Sequence, residues 1–221
     1  MKTWIPNALT SLNLVFGVFA ILNVFQGEFN LAAYCVVLAL VADSLDGRAA
    51  RYFGVSGEFG KELDSLCDAG SFGVAPAVMA YVYVIKDFGW LGAAVAAFFA
   101  CCVAFRLARF NVNVSTVKGY FMGLPSPAGG AVVATLLTAN LQLPAWVVLT
   151  FVAVVGYLMV SKIKYPEFKG HGEKINPAPV VVTLVIVGAL LFVQPNSWLF
   201  APFFAFTLFG LVNGLFRAII K

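Results

Sequence analysis

The sequence predicts an all-α polytopic integral membrane protein with about eight transmembrane helices. Three observations carry that expectation. Of the 221 residues, 62% are hydrophobic and only 11% are charged, against roughly 25% charged in a soluble domain, and the mean hydropathy is +0.94. Apolar runs occupy 8–26, 29–47, 63–85, 89–109, 125–142, 144–161, 178–194 and 197–216, each near the ~20 residues that a spanning helix needs. Of the 14 Lys and Arg residues, only Lys86 falls among the short alternate connections; the rest fall at the termini, in the longer connections or, for Arg106 and Arg109, at the end of the fourth run beside one. Because basic residues mark cytoplasmic loops, both termini and the polar connections are expected in the cytoplasm. The composition excludes a soluble globule, a disordered chain and a disulfide-rich secreted scaffold. Cations scattered over short loops also argue against nucleic acid as a partner. A single membrane-embedded domain over 1–221 is expected.

The first run contains Asn13 and Asn23 and lacks a small-residue cleavage site, so it reads as a retained helix rather than a signal peptide. Pro6 and Asn7 suit its start. Asn7 and Thr10, three residues apart, share a face that offers hydrogen-bonding groups to a base edge or a helix cap. The second and third runs are flanked by acids across a connection of about 15 residues, 48–62, long enough to set two helices side by side. The fourth run closes with Arg106 and Arg109, three apart, whose guanidinium forks suit carboxylate or phosphate, or else lipid headgroups. Gly123-Leu124-Pro125-Ser126-Pro127 forms a rigid turn into the fifth run. His171, the only histidine, is expected in a solvated loop, and the Phe-rich last runs in packing or lipid contact. Cys35, Cys67, Cys101 and Cys102 show no zinc spacing and are expected as free thiols.

Six of the ten acidic residues lie between positions 43 and 68. Asp43 and Asp46 are one helical turn apart, as are Asp64 and Asp68, so each pair shares a face. Acids inside spans are functional suspects by default, and four carboxylates converging between two helices suit Mg²⁺, Mn²⁺ or Ca²⁺ rather than zinc or copper. Ion pairs with Arg48, Arg51 and Lys61 are the simpler alternative.

The run Asp43-Ser44-Leu45-Asp46-Gly47-Arg48-Ala49-Ala50-Arg51, then eight residues, Gly60, three residues, Asp64, three residues and Asp68 resembles the signature of the CDP-alcohol phosphotransferase family at every defined position. The resemblance implies transfer of a phosphoalcohol from a CDP-linked donor to an acceptor hydroxyl, with release of CMP. It implies a divalent metal, Mg²⁺ or Mn²⁺ and two ions, held by Asp43, Asp46, Asp64 and Asp68, with Asp68 as general base. It further implies CDP contacts from Asn7, Thr10, Asp43, Gly47, Ala50, Arg51 and Gly60, the small residues letting a flat nucleotide approach the backbone. Six core helices over about 1–161 would be followed by two additional ones over about 178–217, and the unit would be a homodimer.

Pro6-Asn7-Ala8-Leu9-Thr10, Ser71-Phe72-Gly73-Val74-Ala75-Pro76-Ala77, Arg106-Leu107-Ala108-Arg109-Phe110-Asn111 and Gly123-Leu124-Pro125-Ser126-Pro127-Ala128 resemble the branch of that family that uses serine as acceptor. That likeness implies CDP-diacylglycerol and L-serine as substrates, with Arg106 and Arg109 holding the serine carboxylate or the donor phosphate. Glycerol phosphate or inositol phosphate as acceptor, an archaeal ether-lipid donor, and a divalent-cation transporter stand as alternatives.

Overall fold

A computed structural model describes residues 4–55, 57–113, 120–166 and 177–219. His171 and its neighbours lie outside the described residues. The helices are α1 (Trp4–Phe25), α2 (Phe29–Phe53), α3 (Glu58–Asp68), α4 (Ala75–Tyr83), α5 (Trp90–Asn113), α6 (Ser126–Leu136), α7 (Ala145–Val160), α8 (Pro177–Val193) and α9 (Ala201–Ile219). A π-helical turn, Ala69–Val74, joins α3 to α4 in one continuous stretch. Each expected apolar run thus has its helix. Four stretches, Trp4–Phe25, Phe29–Phe53, Glu58–Tyr83 and Trp90–Val112, are long and apolar enough to cross a membrane. The other four helices are shorter, α6 having 11 residues, or ~16 Å of rise against a hydrocarbon core of ~30 Å.

Two sequence expectations change. The connection between the second and third helices is much shorter than 48–62, because α2 continues to Phe53 and α3 begins at Glu58. An apolar run marks the lipid-embedded part of a helix, whereas backbone hydrogen bonding continues beyond the hydrocarbon. Gly54 stops α2 in the left-handed conformation, φ 64°, its N–H donating to the Ala50 and Arg51 carbonyls, as a helix-terminating glycine does. The second change is a two-stranded antiparallel ribbon: β1 (Tyr120–Met122) pairs with β2 (Lys164–Pro166). It lies within connections that hydropathy reads only as turns.

The buried face of α1 carries Pro6, Thr10, Asn13, Gly17, Ala20 and Val24, a stripe at alternating spacings of four and three. It packs along α2, whose buried face is mostly alanine: Ala32, Ala33, Ala39 and Ala42. Apolar area provides little drive between helices in lipid, and small residues that let backbones approach closely replace it. The helix with least freedom is α6, with every residue from Gly129 to Leu136 buried. A Cβ on Gly130 would lie 2.7 Å from the backbone of Phe72 in the π turn, so that crossing admits only glycine. By contrast α8 packs chiefly on α9 and exposes Val181, Leu184, Val185 and Phe192, as a lipid-facing helix should.

The ribbon ties these layers together. Tyr165 of β2 is fully buried and its hydroxyl donates to the Thr207 carbonyl of α9 at 3.4 Å. Its ring lies where a side chain on Gly210 would sit. Burial pushes the Tyr165 hydroxyl above its ordinary pKa, so it acts as a neutral donor. All four cysteines are free, Cys101 being the exposed one.

This packing predicts opposite responses at two glycines. Gly130→Val should destabilise the detergent-solubilised protein by about 1–3 kcal/mol, the usual effect of overpacking. Gly188→Val should leave the unfolding midpoint unchanged or raise it, since nothing lies within 4 Å of a Cβ there.

Candidate active site

One turn after another, α1 presents a residue to the acidic segment. Thr10, whose hydroxyl donates to the Pro6 carbonyl at 3.0 Å, lines the same cavity wall as Asp46. The Asn13 Nδ2 donates to Asp68 Oδ1 at 2.9 Å. Beyond it Ser71, in the π turn, donates from Oγ to the Asn13 carbonyl at 2.9 Å, where Gly17 leaves room. The wide turn is thus wedged against α1 immediately after Asp68, and π-bulges inside helices do recur at functional sites.

Against this face the acids converge. Carboxylate oxygens of Asp43, Asp64 and Asp68 lie within 4.8 Å of one another. Like charges this close disfavour one another's ionised form, and a cation among them would relieve that. Asp46 is not among those three, but it is close enough to interact with Asp43 and Asp64. Asp46 Oδ2 and Asp64 Oδ1 are buried without a hydrogen-bond partner. Unpartnered, negatively charged, all-oxygen donors fit a hard divalent cation, so the aspartate cluster could hold a metal.

The one buried guanidinium beside the cluster is Arg106, 7% exposed. It donates from Nη1 to Ser126 Oγ at 2.8 Å and lies 5.3 Å from the Phe110 ring centroid, interacting electrostatically with Asp43 and Asp68. Next to the acids opens a cavity of about 260 Å³ lined by Asn7, Thr10, Asp46, Asp64, Lys61 and the faces of Gly47, Ala50, Arg51 and Gly60. Added Cβ atoms would stand 3.6 Å from Arg51 at Gly47 and 3.5 Å from Asn7 at Gly60, ordinary contacts. Protein packing therefore does not require glycine at either place. What the missing side chains leave free is cavity space.

The residues singled out from sequence thus fall into two connected groups: Asp43, Asp64 and Asp68 in the cluster, and Asn7, Thr10, Gly47, Ala50, Arg51 and Gly60 around the cavity, with Asp46 between them. Arg109 is placed otherwise. Its guanidinium donates to the carbonyls of Val160, Met122, Met159 and Ser161 at 2.7–3.3 Å, holding the end of α7 to β1. Sequence reasoning gave no role to two residues that the fold brings in, Asn13 and Ser126, and cast a third, Lys61, only as an ion-pair partner of the acids. Asn13 extends the Asn7–Thr10 spacing by one turn, a signal that was present. Lys61 donates to the Asn111 carbonyl at 2.8 Å, and Ser126 anchors Arg106; both contacts join distant segments and leave no periodic trace.

A largely helical membrane bundle thus carries an acidic cluster that could hold a metal beside a cavity faced by small residues. Residues 3–153 match the family model described as CDP-alcohol phosphatidyltransferase, and the chain belongs to that family of transferases of phospholipid synthesis. It is 36% identical to a CDP-diacylglycerol–serine O-phosphatidyltransferase of Helicobacter pylori, over 96% of this chain and 91% of that one. It is 40% identical to a Methanocaldococcus jannaschii protein of the same name over 74% of each chain. An archaetidylserine synthase of Methanothermobacter thermautotrophicus is 37% identical over 76% of this chain and 72% of its own.

The Arg109 contacts generate a test. Lysine, a single-point donor, cannot span four carbonyls, so Arg109→Lys should lower stability by roughly 1.5–3 kcal/mol in thermal unfolding, with substrate KM values unchanged. A raised acceptor KM at unchanged stability would instead put this guanidinium in the acceptor site.

Proposed function

We propose that this protein is a CDP-diacylglycerol–serine O-phosphatidyltransferase, working at the cytoplasmic face of a cell membrane. The observation that carries the reading is the convergence of Asp43, Asp64 and Asp68 beside a cavity lined by the remaining signature residues. The relatives' names support CDP-diacylglycerol as donor and L-serine as acceptor. Arg106 supports a carboxylate-bearing acceptor, because a buried guanidinium beside the acids suits a carboxylate.

Asp43, Asp46 and Asp64, with Asp68 contributing, would hold the metal, Mg²⁺ or Mn²⁺ and two ions by the family resemblance. When bound, it stabilises the charge on the attacking and leaving oxygens of an in-line displacement. Asn7, Thr10, Arg51 and the open faces of Gly47, Ala50 and Gly60 receive the cytidine end, while the acyl chains remain in lipid. The serine hydroxyl enters from the cytosol and attacks the phosphorus attached to diacylglycerol. Asp68 takes the hydroxyl proton, the bond from that phosphorus to the bridging oxygen breaks, and CMP leaves. No covalent enzyme intermediate is needed. Charge supports this sidedness: Arg48, Arg51 and Lys61 lie between Asp46 and Asp64 in the chain, and Lys86 lies between α4 and α5, the pattern of a cytoplasmic face. The family resemblance adds a homodimer. The archaeal relative keeps an archaetidyl donor as a second reading.

The test is CMP release by purified protein with CDP-diacylglycerol and Mg²⁺ or Mn²⁺. L-serine should raise the rate at least about tenfold over water, whereas glycerol phosphate and inositol phosphate should not; Asp68→Asn should lower kcat about 10²–10⁴-fold, the range for a lost general base. Asp43→Asn and Asp64→Asn should abolish turnover. Serine giving no more CMP than water would overturn the acceptor. Full turnover in both metal-ligand variants would overturn the metal assignment. A parallel assay with the ether-linked donor decides between the two lipid tails.

A further inference from the structure

Asn13 is wholly buried, at 0% exposed, on the polar stripe of α1. Its carboxamide is half used. The Nδ2 donates to Asp68 Oδ1, the direction that the contact takes when Asp68 serves as the base. The opposite atom, Oδ1, is buried with no hydrogen-bond partner. Buried amide oxygens are almost always satisfied, so this one calls for a donor that the folded chain does not supply.

Its neighbours define what kind of donor. Asp68 takes one hydrogen bond from the same amide, and Arg106, buried on α5 and held by Ser126, interacts electrostatically with Asp68. Around Asp68 there are thus a guanidinium, which prefers an anion, and an amide oxygen, which accepts an N–H or O–H. A small acceptor carrying a hydroxyl, a carboxylate and an ammonium group has one group for each of the three.

We propose that Asn13 is a positioning and specificity-determining residue: its Nδ2 orients the Asp68 carboxylate, and its Oδ1 accepts a hydrogen bond from the ammonium group of the acceptor. This rests on the serine-transfer reading above and adds to it the group that distinguishes an amino acid from a simple hydroxy acid. Asn13 forms no bond with the reacting atoms; it acts through Asp68 on one side and through the acceptor's amine on the other.

Steady-state kinetics with purified full-length protein separate the two functions. Asn13→Leu removes donor and acceptor at similar volume. It should raise the L-serine KM about tenfold and lower kcat about tenfold, the scale of a lost hydrogen bond to a charged group. The CDP-diacylglycerol KM should stay within about twofold, and so should the inhibition constant of 3-hydroxypropionate, which has hydroxyl and carboxylate but no amine. Asn13→Asp keeps an oxygen for the amine but loses the N–H to Asp68; kcat should fall while the serine KM stays within about twofold of the wild type. The proposal is overturned if Asn13→Leu leaves the serine KM unchanged, or shifts it and the 3-hydroxypropionate constant by the same factor. Should Asn13→Leu fail to fold, as a lost donor KM would report, Asn13→Asp decides alone: a serine KM raised in step with the 3-hydroxypropionate constant overturns the proposal. Absence of serine-dependent CMP release in the wild type is a separate result and overturns the parent reading instead.

Discussion

Three carboxylate oxygens within 4.8 Å of one another, at the edge of a membrane-embedded bundle, set the terms for everything around them. Two like charges ~4 Å apart repel by ~4 kcal/mol at an effective dielectric of ~20, and helices carrying them separate unless something else holds them together. The fold answers with a clamp of close backbone contacts and with polar partners on α1. A divalent cation among the carboxylates would remove the electrostatic strain that remains. Site and scaffold are therefore one design problem: the helices must pack tightly enough to keep the acids together.

Small residues supply that tightness. Gly17 meets Ser71 and Gly130 meets Phe72, so the π turn after Asp68 is pinned between α1 and the buried α6. The turn, in its turn, fixes where Asp64 and Asp68 face. On the far side Arg109 and Tyr165 fasten the α7 end and the β ribbon to α5 and α9. Residues distant from the acids thus act on them through rigid-body placement. The lipid-facing helix α8 takes little part in this network.

Much of this was legible in the sequence because membrane insertion writes itself in hydropathy and the acidic signature is a local spacing. Eight apolar runs correspond to eight helical stretches, and the one-turn spacings of Asp43 with Asp46 and Asp64 with Asp68 placed each pair on a face before any coordinates. Helix ends were less legible: α2 and α3 extend past the hydrocarbon, where polar residues hide a helix from a hydropathy reading. The β1–β2 ribbon was invisible because main-chain pairing has no side-chain signature in a three-residue strand. Arg109 illustrates a deeper limit. Arg106 and Arg109 look equivalent at i and i+3, yet one is buried beside the acids and the other reaches the carbonyls at the end of α7. Only tertiary packing, which brings residue 109 to residues 159–161, decides between them. Asn13 shows the reverse case, a periodic signal present in the sequence that acquires meaning only once Asp68 is seen beside it.

The central claim is that the aspartate cluster is a preorganised metal centre. Anomalous X-ray scattering from crystals of the protein grown with Mn²⁺ tests it most directly. The account predicts manganese peaks among the carboxylates of Asp43, Asp46, Asp64 and Asp68, lost in Asp64→Asn crystals that keep the same backbone. A manganese-free cluster under conditions that support turnover, or peaks confined to other residues, would contradict it.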